Sequence, residues 1–277
     1  MTGAGVGAAG SKSPLRILVF HRAVGFVHHS IPHSVKVIAA LGEQDGWNVS
    51  ASDDPQQFSD PTLCAIDVVV LLQTSGDVLP DVQQRAAFER FVQRGGGVFA
   101  VHAASSMGAL AQEWPWFHDL IGAAFKGHTS ACCYADAPVD EQRGFKYGGP
   151  LSSAPPDAER IGDAFAMTTW ETATVSVEQT DSPAIGLLRD GEERPDEWYG
   201  FVTNPRGQVT IVATVDESTY NPGLGVMGDD HPIVWWHDFD GGRCVYNSMG
   251  HAVSTWDDPV FQSTIVGGIN LAARRSP

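Results

Sequence analysis

Residues 95 to 106 read GGGVFAVHAASS, and the fold turns on how that run is taken. Three glycines lead into a short apolar run with no polar alternation, the pattern of a strand covered on both faces, as in a parallel sheet flanked by helices. The run ends at His102. Small residues follow at once, so the segment resembles the strand-to-helix elbow on which hydrolases and amidotransferases mount a nucleophile. Here an imidazole takes that place. With no cysteine beside it, thiol chemistry of the glutamine-splitting kind is excluded unless Ser105 or Ser106, which lie past the turn, substitutes.

Working outward, the same grammar repeats. LRILVFH, residues 15 to 21, and IDVVVLLQ, residues 66 to 73, are apolar runs of strand length, and WNVSASD, residues 47 to 53, offers another strand. Between them, Pro32 opens a segment with Val35, Val37, Ile38 and Leu41 at helical spacing that stops near Gly46, and residues 80 to 96 carry Val82, Ala86, Phe88, Phe91 and Val92 on a second helix ended by glycine. Strands alternating with helices of this length predict an α/β fold, a doubly wound and mostly parallel sheet with helices on both faces. HPIVWWHDF and RCVYNSMG, joined across Asp240, Gly241 and Gly242, add a hairpin, and the chain closes in a helix from about Pro259 to Ala273. Residues 131 to 165, rich in Pro, Gly, Asp and Ser, read as a surface insertion, and the Gly- and Ala-rich residues 1 to 13 as a disordered tail. Residues 14 to 277 are expected to form one domain.

The 277 residues include 17 basic and 33 acidic side chains, a formal charge of −16. That balance disfavours nucleic acid and anionic membranes, and favours a neutral or cationic ligand. No apolar run approaches the ~20 residues of a membrane span, and residues 1 to 13 lack the pattern of a secretory signal, so a cytoplasmic location is expected. The four cysteines, Cys64, Cys132, Cys133 and Cys244, form no C-x-x-C pair and read as reduced.

In a doubly wound sheet, ligands bind where the carboxyl ends of the strands meet the loops. That edge should gather His21 and the following loop GFVHHS with His102, and His251 follows a second strand in the same manner. RPDEWYGF, residues 194 to 201, sets Asp196 and Glu197 beside Trp198 and Tyr199, which suits general acid or base work next to a ring that stacks on a sugar. His231 and Trp235 are further candidates for the crevice. A histidine near neutral pH can move a proton, bind a hydroxyl or ligate a metal.

Taken together, GFVHHSI, GGGVFAVHAA, WPWFHDLIGAAFKGH, DEWYGF, DESTY, HPIVWWHDFDGGRCVYNSMGH and DPVFQSTIVGGINLA resemble the ThuA-like, trehalose-utilisation family of the class I glutamine amidotransferase-like superfamily, over nearly the whole chain. The resemblance implies a flavodoxin-like fold in which His102 occupies the amidotransferase cysteine position and His251 matches its histidine. It also matches His28, His128 and Glu197 to family motifs, and implies a role in disaccharide catabolism, on sugars oxidised to 3-keto-glycosides. The chain departs from the family pattern at Val27 and His29, where arginine and aspartate are common, and at Ser182 in DSPAIGL.

The resulting expectation is an enzyme that processes a sugar or 3-keto-glycoside by acid-base chemistry, elimination, hydration or hydrolysis, with His28, His102, Glu197 and His251 as its catalytic set. His21, His128, Asp196, Tyr199, His231 and Trp235 are expected to bind the substrate. Such chemistry requires no cofactor. A divalent metal held by His28, His102 and His251 is the variant, and a non-catalytic sugar-binding or regulatory domain is the alternative. The expected partner is a small carbohydrate, with self-association into a homo-oligomer left open.

Overall fold

Nine strands form the main sheet, in the order β11-β10-β13-β14-β15-β4-β3-β1-β2. The computed structural model describes residues 13–107, 114–129, 139–140, 145–150, 159–161, 164–166 and 171–275. In chain order the first half comprises β1 (Arg16–Phe20), α1 (Ile31–Asp45), β2 (Asn48–Ser52), α2 (Asp60–Leu63), β3 (Val68–Leu72), α3 (Val82–Gln93), β4 (Gly97–Val101) and α4 (Pro115–Ile121). Then follow β5 (Phe125–His128), β6 (Val139–Asp140), β7 (Phe145–Pro150), β8 (Glu159–Ile161), β9 (Ala164–Ala166), β10 (Glu171–Val177), β11 (Glu193–Asp196) and β12 (Tyr199–Phe201). The chain ends with β13 (Thr210–Asp216), β14 (His231–Phe239), β15 (Gly242–Asn247), α5 (Val253–Asp257) and α6 (Pro259–Ala272).

The sheet has two halves. β2, β1, β3, β4 and β15 run parallel, whereas β14, β13, β10 and β11 continue it in antiparallel pairings. The parallel half has the order of a flavodoxin-like sheet, with its order reversing beside β1. The unbroken apolar runs explain why: every residue of β3 and β4 is buried. Their odd and even side chains enter two separate cores. Val68, Val70, Leu72 and Phe99 join Ile38 of α1 and Ile265 and Ile269 of α6, while Val69, Leu71, Val98 and Ala100 join Phe88 and Phe91 of α3 and Phe117 of α4. At roughly 1.5–3 kcal/mol for each fully buried aliphatic side chain, β3 alone contributes about 10 kcal/mol of transfer free energy.

Local signals set the ends of the elements. Pro32 lies in the first turn of α1, and Gly46 ends it at φ +70°. Asp81 caps α3 by accepting the Gln83 amide, and Asp258 caps α6 by accepting that of Val260. The β14–β15 hairpin turns at Asp240 and Gly241, with φ +47° and +96°, the left-handed pair that a two-residue hairpin turn requires.

The tail expected over residues 1 to 13 lies, except for Ser13, outside the described residues, as do Cys132 and Cys133. Much of the segment from 131 to 165 lies outside them too. Its described residues contribute β6, β7 and β8 and the start of β9, which form a second sheet in the order β6-β7-β9-β8. A third, two-stranded sheet pairs β12 with β5, with Tyr199 opposite His128. Among the described residues no helix is long and apolar enough to cross a membrane.

Candidate active site

Four chain segments deliver one buried cluster to the carboxyl edge of the parallel strands. The loop after β1 is pinned to the end of β3 by the Val24 and Gly25 amides, both donating to the Ser75 carbonyl, and it turns His28 inward to 2% exposure. β4 delivers His102, which is fully buried at φ +50°. A non-glycine residue in that region is strained, and a sharp elbow is where such strain is found. The Tyr246 hydroxyl holds the elbow by donating to the His102 carbonyl at 2.8 Å. β15 runs on to Gly250 at φ +116° and then His251. Glu197 comes from the antiparallel half, in the bend between β11 and β12.

One donor atom from each of His28, His102, Glu197 and His251 lies within 4.8 Å of the others. Glu197 Oε2 is 3.0 Å from His251 Nδ1 and 3.4 Å from His102 Nε2, and its Oε1 is 3.4 Å from His128 Nδ1. The ring of His28 meets those of His102 and His251 edge-on, at 4.8 and 5.1 Å between centroids. His102 Nδ1 lies 2.7 Å from the Ser248 carbonyl, which must accept its proton, so the lone pair sits on Nε2 and faces the cluster. Neither ring nitrogen of His28, nor Nε2 of His102, has a hydrogen-bond partner among the described residues. Buried polar atoms left this way are uncommon and call for an account.

Burial, reinforced by His102 and His251, pushes the His28 imidazole well below its usual range and keeps it neutral. Burial alone would raise Glu197. The opposing field of His251 and His128, with the close approach of His102 and a hydrogen bond from His251, prevails and holds its carboxyl well below the ordinary value, so it is ionised. Imidazole nitrogens around a carboxylate form the donor set of a borderline divalent metal. Donor atoms around zinc at ~2.0–2.2 Å stand about 3.3 Å apart; the separations of Glu197 from His102 and His251 fit that spacing.

Asp196 does not face the cluster. Its Oδ1 accepts the amides of Glu197 (2.8 Å) and His251 (3.2 Å), and its Oδ2 that of Gly250 (2.9 Å). It is a clamp between the Glu197 bend and the His251 loop. Two supports escaped the sequence reading. Gln73, at φ +50° after β3, donates through Nε2 to the Gly250 carbonyl at 2.5 Å and to Ser30 Oγ at 3.0 Å, and Ser30 Oγ donates to the His251 carbonyl at 2.7 Å. The available signal was a lone polar residue closing the apolar run IDVVVLLQ.

The other expected residues divide. His128 adjoins the cluster with a side chain 35% exposed, and its Nδ1, 2.6 Å from the Thr129 carbonyl, donates there, leaving Nε2 as the basic nitrogen. Tyr199 is buried with its ring against His102, 4.2 Å between centroids, which leaves it no open face for a sugar. His21 lines a cavity of ≈ 690 Å³ formed by the loop after β1, and His28 is the wall shared with the cluster. His231 lies behind the site, with Nε2 2.9 Å from the Tyr199 carbonyl and Nδ1 2.8 Å from Glu217. Trp235 sits in the core, its Nε1 donating to the Ile121 carbonyl, away from the cluster.

A family model described as ThuA, trehalose utilisation, matches residues 16–272. Two solved structures are similar over nearly their whole length. A ThuA-like protein from Bacteroides uniformis ATCC 8492 is 20% identical, with 97% of this chain and 95% of that one covered and a TM-score of 0.69. A ThuA-like protein from Parabacteroides merdae ATCC 43184 is 22% identical, with 94% and 90% covered and a TM-score of 0.61. A cytoplasmic protein of Salmonella typhimurium follows at 10% identity, 93% and 98% coverage and a TM-score of 0.52. At such identities the likeness to these structures is one of fold. No curated relative matches the chain.

Proposed function

Since the chain belongs to the ThuA family, described as trehalose utilisation, we propose that it is an enzyme of carbohydrate breakdown, acting on a keto-sugar glycoside at a centre of His28, His102, His251 and Glu197 that holds a divalent metal. The observation that carries this reading is the buried cluster: an ionised carboxylate within reach of three imidazoles, two of which keep ring nitrogens without hydrogen-bond partners among the described residues. A metal-free acid-base site has no need for unsatisfied buried nitrogens. A sugar-binding module has no need for the carboxylate either. The position of His102 on a strained elbow supports descent from an amidotransferase-like scaffold with the thiol replaced.

The side chains suit a carbonyl substrate. A ketone acidifies the neighbouring C–H bond, so a base that removes that proton and an electrophile on the ketone oxygen promote elimination, in which the C–O bond at the next carbon breaks to leave an enone and the base returns the proton to the departing oxygen. The bound ion would supply the electrophile. His128 Nε2, at the solvent side of the cluster, is positioned to take the proton, while Glu197 Oε1, 3.4 Å from the same ring, stabilises the imidazolium that forms. His102 and His251 are oriented by Ser248 and Asp196, and their task is to hold the centre rigid. The reaction belongs in the cytoplasm, where 3-keto-glycosides produced by sugar oxidation would be met.

The test is purification without a metal-affinity tag, elemental analysis, and incubation with glycosides and their 3-keto derivatives, with and without a chelator, read by mass spectrometry. One equivalent of a divalent metal and chelator-sensitive consumption of a keto-glycoside are expected. Absence of metal uptake together with no consumption of any keto-glycoside would overturn the proposal.

A further inference from the structure

The cavity formed by the loop after β1 has walls that the reaction chemistry does not explain. His21, Arg22, His29 and Asp53 supply its polar groups, and Val24, Phe26, Val27, Ile31 and Pro32 its apolar ones. Its volume of ≈ 690 Å³ accommodates a mono- or disaccharide. Arg22 is the cationic group of that lining. In a chain carrying 33 acidic residues, its guanidinium has no carboxylate within 4 Å among the described residues, whereas Arg16, Arg90, Arg206 and Arg243 each sit on one. Among the described residues its one hydrogen bond is long, Nη1 to the Asp53 main-chain carbonyl at 3.5 Å, and its buried Nε has no partner there.

A second feature points the same way. The N-terminus of α1, a helix of 15 residues, forms the wall at Ile31 and Pro32, with no acidic residue in its first turn and no side-chain cap, because Ser30 is engaged with the His251 carbonyl. The Ile31 and His33 amides turn back on the His28 and Ser30 carbonyls, so the helix contributes its dipole rather than free donors. His28, buried and with both ring nitrogens unpartnered among the described residues, completes the wall. Among the described lining residues the opposing charge is Asp53.

We propose that this cavity binds the anionic group of an acidic sugar, a carboxylate or a phosphate, on the Arg22 guanidinium, and so presents the rest of the sugar to the histidine centre through His28. The inference rests on the carbohydrate reading above and names its substrate class. The net charge of −16 repels anions at long range. A local cation with no carboxylate beside it among the described residues is what an acidic ligand would need against that field. A guanidinium reads such a group as a fork, which lysine cannot reproduce.

The test is calorimetric titration of the zinc-loaded full chain with D-glucuronate, D-glucose 6-phosphate and D-glucose at low salt. Roughly ten- to hundredfold tighter binding of one or both acidic sugars than of glucose is expected, consistent with a hydrogen bond to a charged group. Glucuronate alone would identify a carboxylate, and glucose 6-phosphate alone a phosphate. Arg22→Gln should erase the preference, Arg22→Lys should keep part of it, and Asp53→Asn should tighten the acidic sugars by removing the opposing charge. Equal binding of glucose, or no binding of any of the three, overturns the proposal, as does a preference that survives Arg22→Gln in a protein with an unchanged melting temperature. Zinc titration of the same samples separates the two readings: normal zinc binding without the acidic preference rejects the cavity alone, and the preference without zinc binding rejects the metal centre alone.

Discussion

The Asp196 carboxylate accepts the His251 amide at 3.2 Å through the same oxygen that takes the Glu197 amide at 2.8 Å. Two site residues 54 positions apart are thereby fixed to one atom. Burial pushes this carboxyl above its ordinary value, so the clamp is held at an electrostatic cost that three backbone donors offset.

Asp196→Asn keeps the volume but turns one oxygen into an N–H donor facing amides. Destabilisation by roughly 1–3 kcal/mol is expected, with a loss of roughly ten- to hundredfold in zinc affinity, as for other residues that orient ligands. Thermal melts and a competitive metal titration would check both. Unchanged metal affinity would show that Asp196 supports only the fold.

Glu197→Gln preserves shape and removes the charge. Zinc affinity should fall by at least about tenfold and keto-glycoside turnover by more, while the fold persists because the carboxylate is no longer confined among imidazoles. Elemental analysis and mass-spectrometric turnover of the purified variant are the measurements. Full turnover would remove Glu197 from the centre.

Gly200→Ala tests the β5–β12 pair. A Cβ at that position would collide with the Gly225 carbonyl, a backbone atom that cannot rotate away. The expected cost is roughly 1–3 kcal/mol, accompanied by a fall in turnover as the Tyr199 ring moves off His102. A melting temperature equal to that of the parent protein would contradict the packing described.

Acid should destabilise the protein early. Burial lowers the His231 and His237 imidazoles below their ordinary value of 6.5, so the unfolded chain binds these protons more readily than the folded one. Their contribution is whole above about pH 6.5 and is lost as the pH falls below it. Chemical denaturation at pH 7.5 and 5.5 should show lower stability at the acidic value, and His237→Gln should flatten the dependence.

The parallel half of the sheet was legible because burial on both faces writes itself as unbroken apolar runs. The ends of β1, β4 and β15 then place His28, His102 and His251 at one edge by topology alone. What was illegible depends on contacts without a sequence period. β5 and β12 are four and three residues long, too short to announce a pairing, yet that pairing sets His128 opposite Tyr199 and beside Glu197. Asp196 and Glu197 look equivalent in sequence, and only the bend after β11 sends one to backbone amides and the other to imidazoles. Trp235 and His231 sit in the first five residues of β14, all of them buried, where sequence suggests a crevice and packing supplies a core.

The bend that carries Glu197 belongs to the antiparallel wing, and the imidazoles come from the parallel half or the loops at its edge. Neither portion of the chain could therefore have evolved the centre by itself. A break introduced in the stretch between β10 and β11 should leave His28 and His102 on one polypeptide and Glu197 and His251 on the other, each inert alone and regaining metal uptake only on reassociation, so that joining the two pieces across the sheet is itself the event that creates the centre.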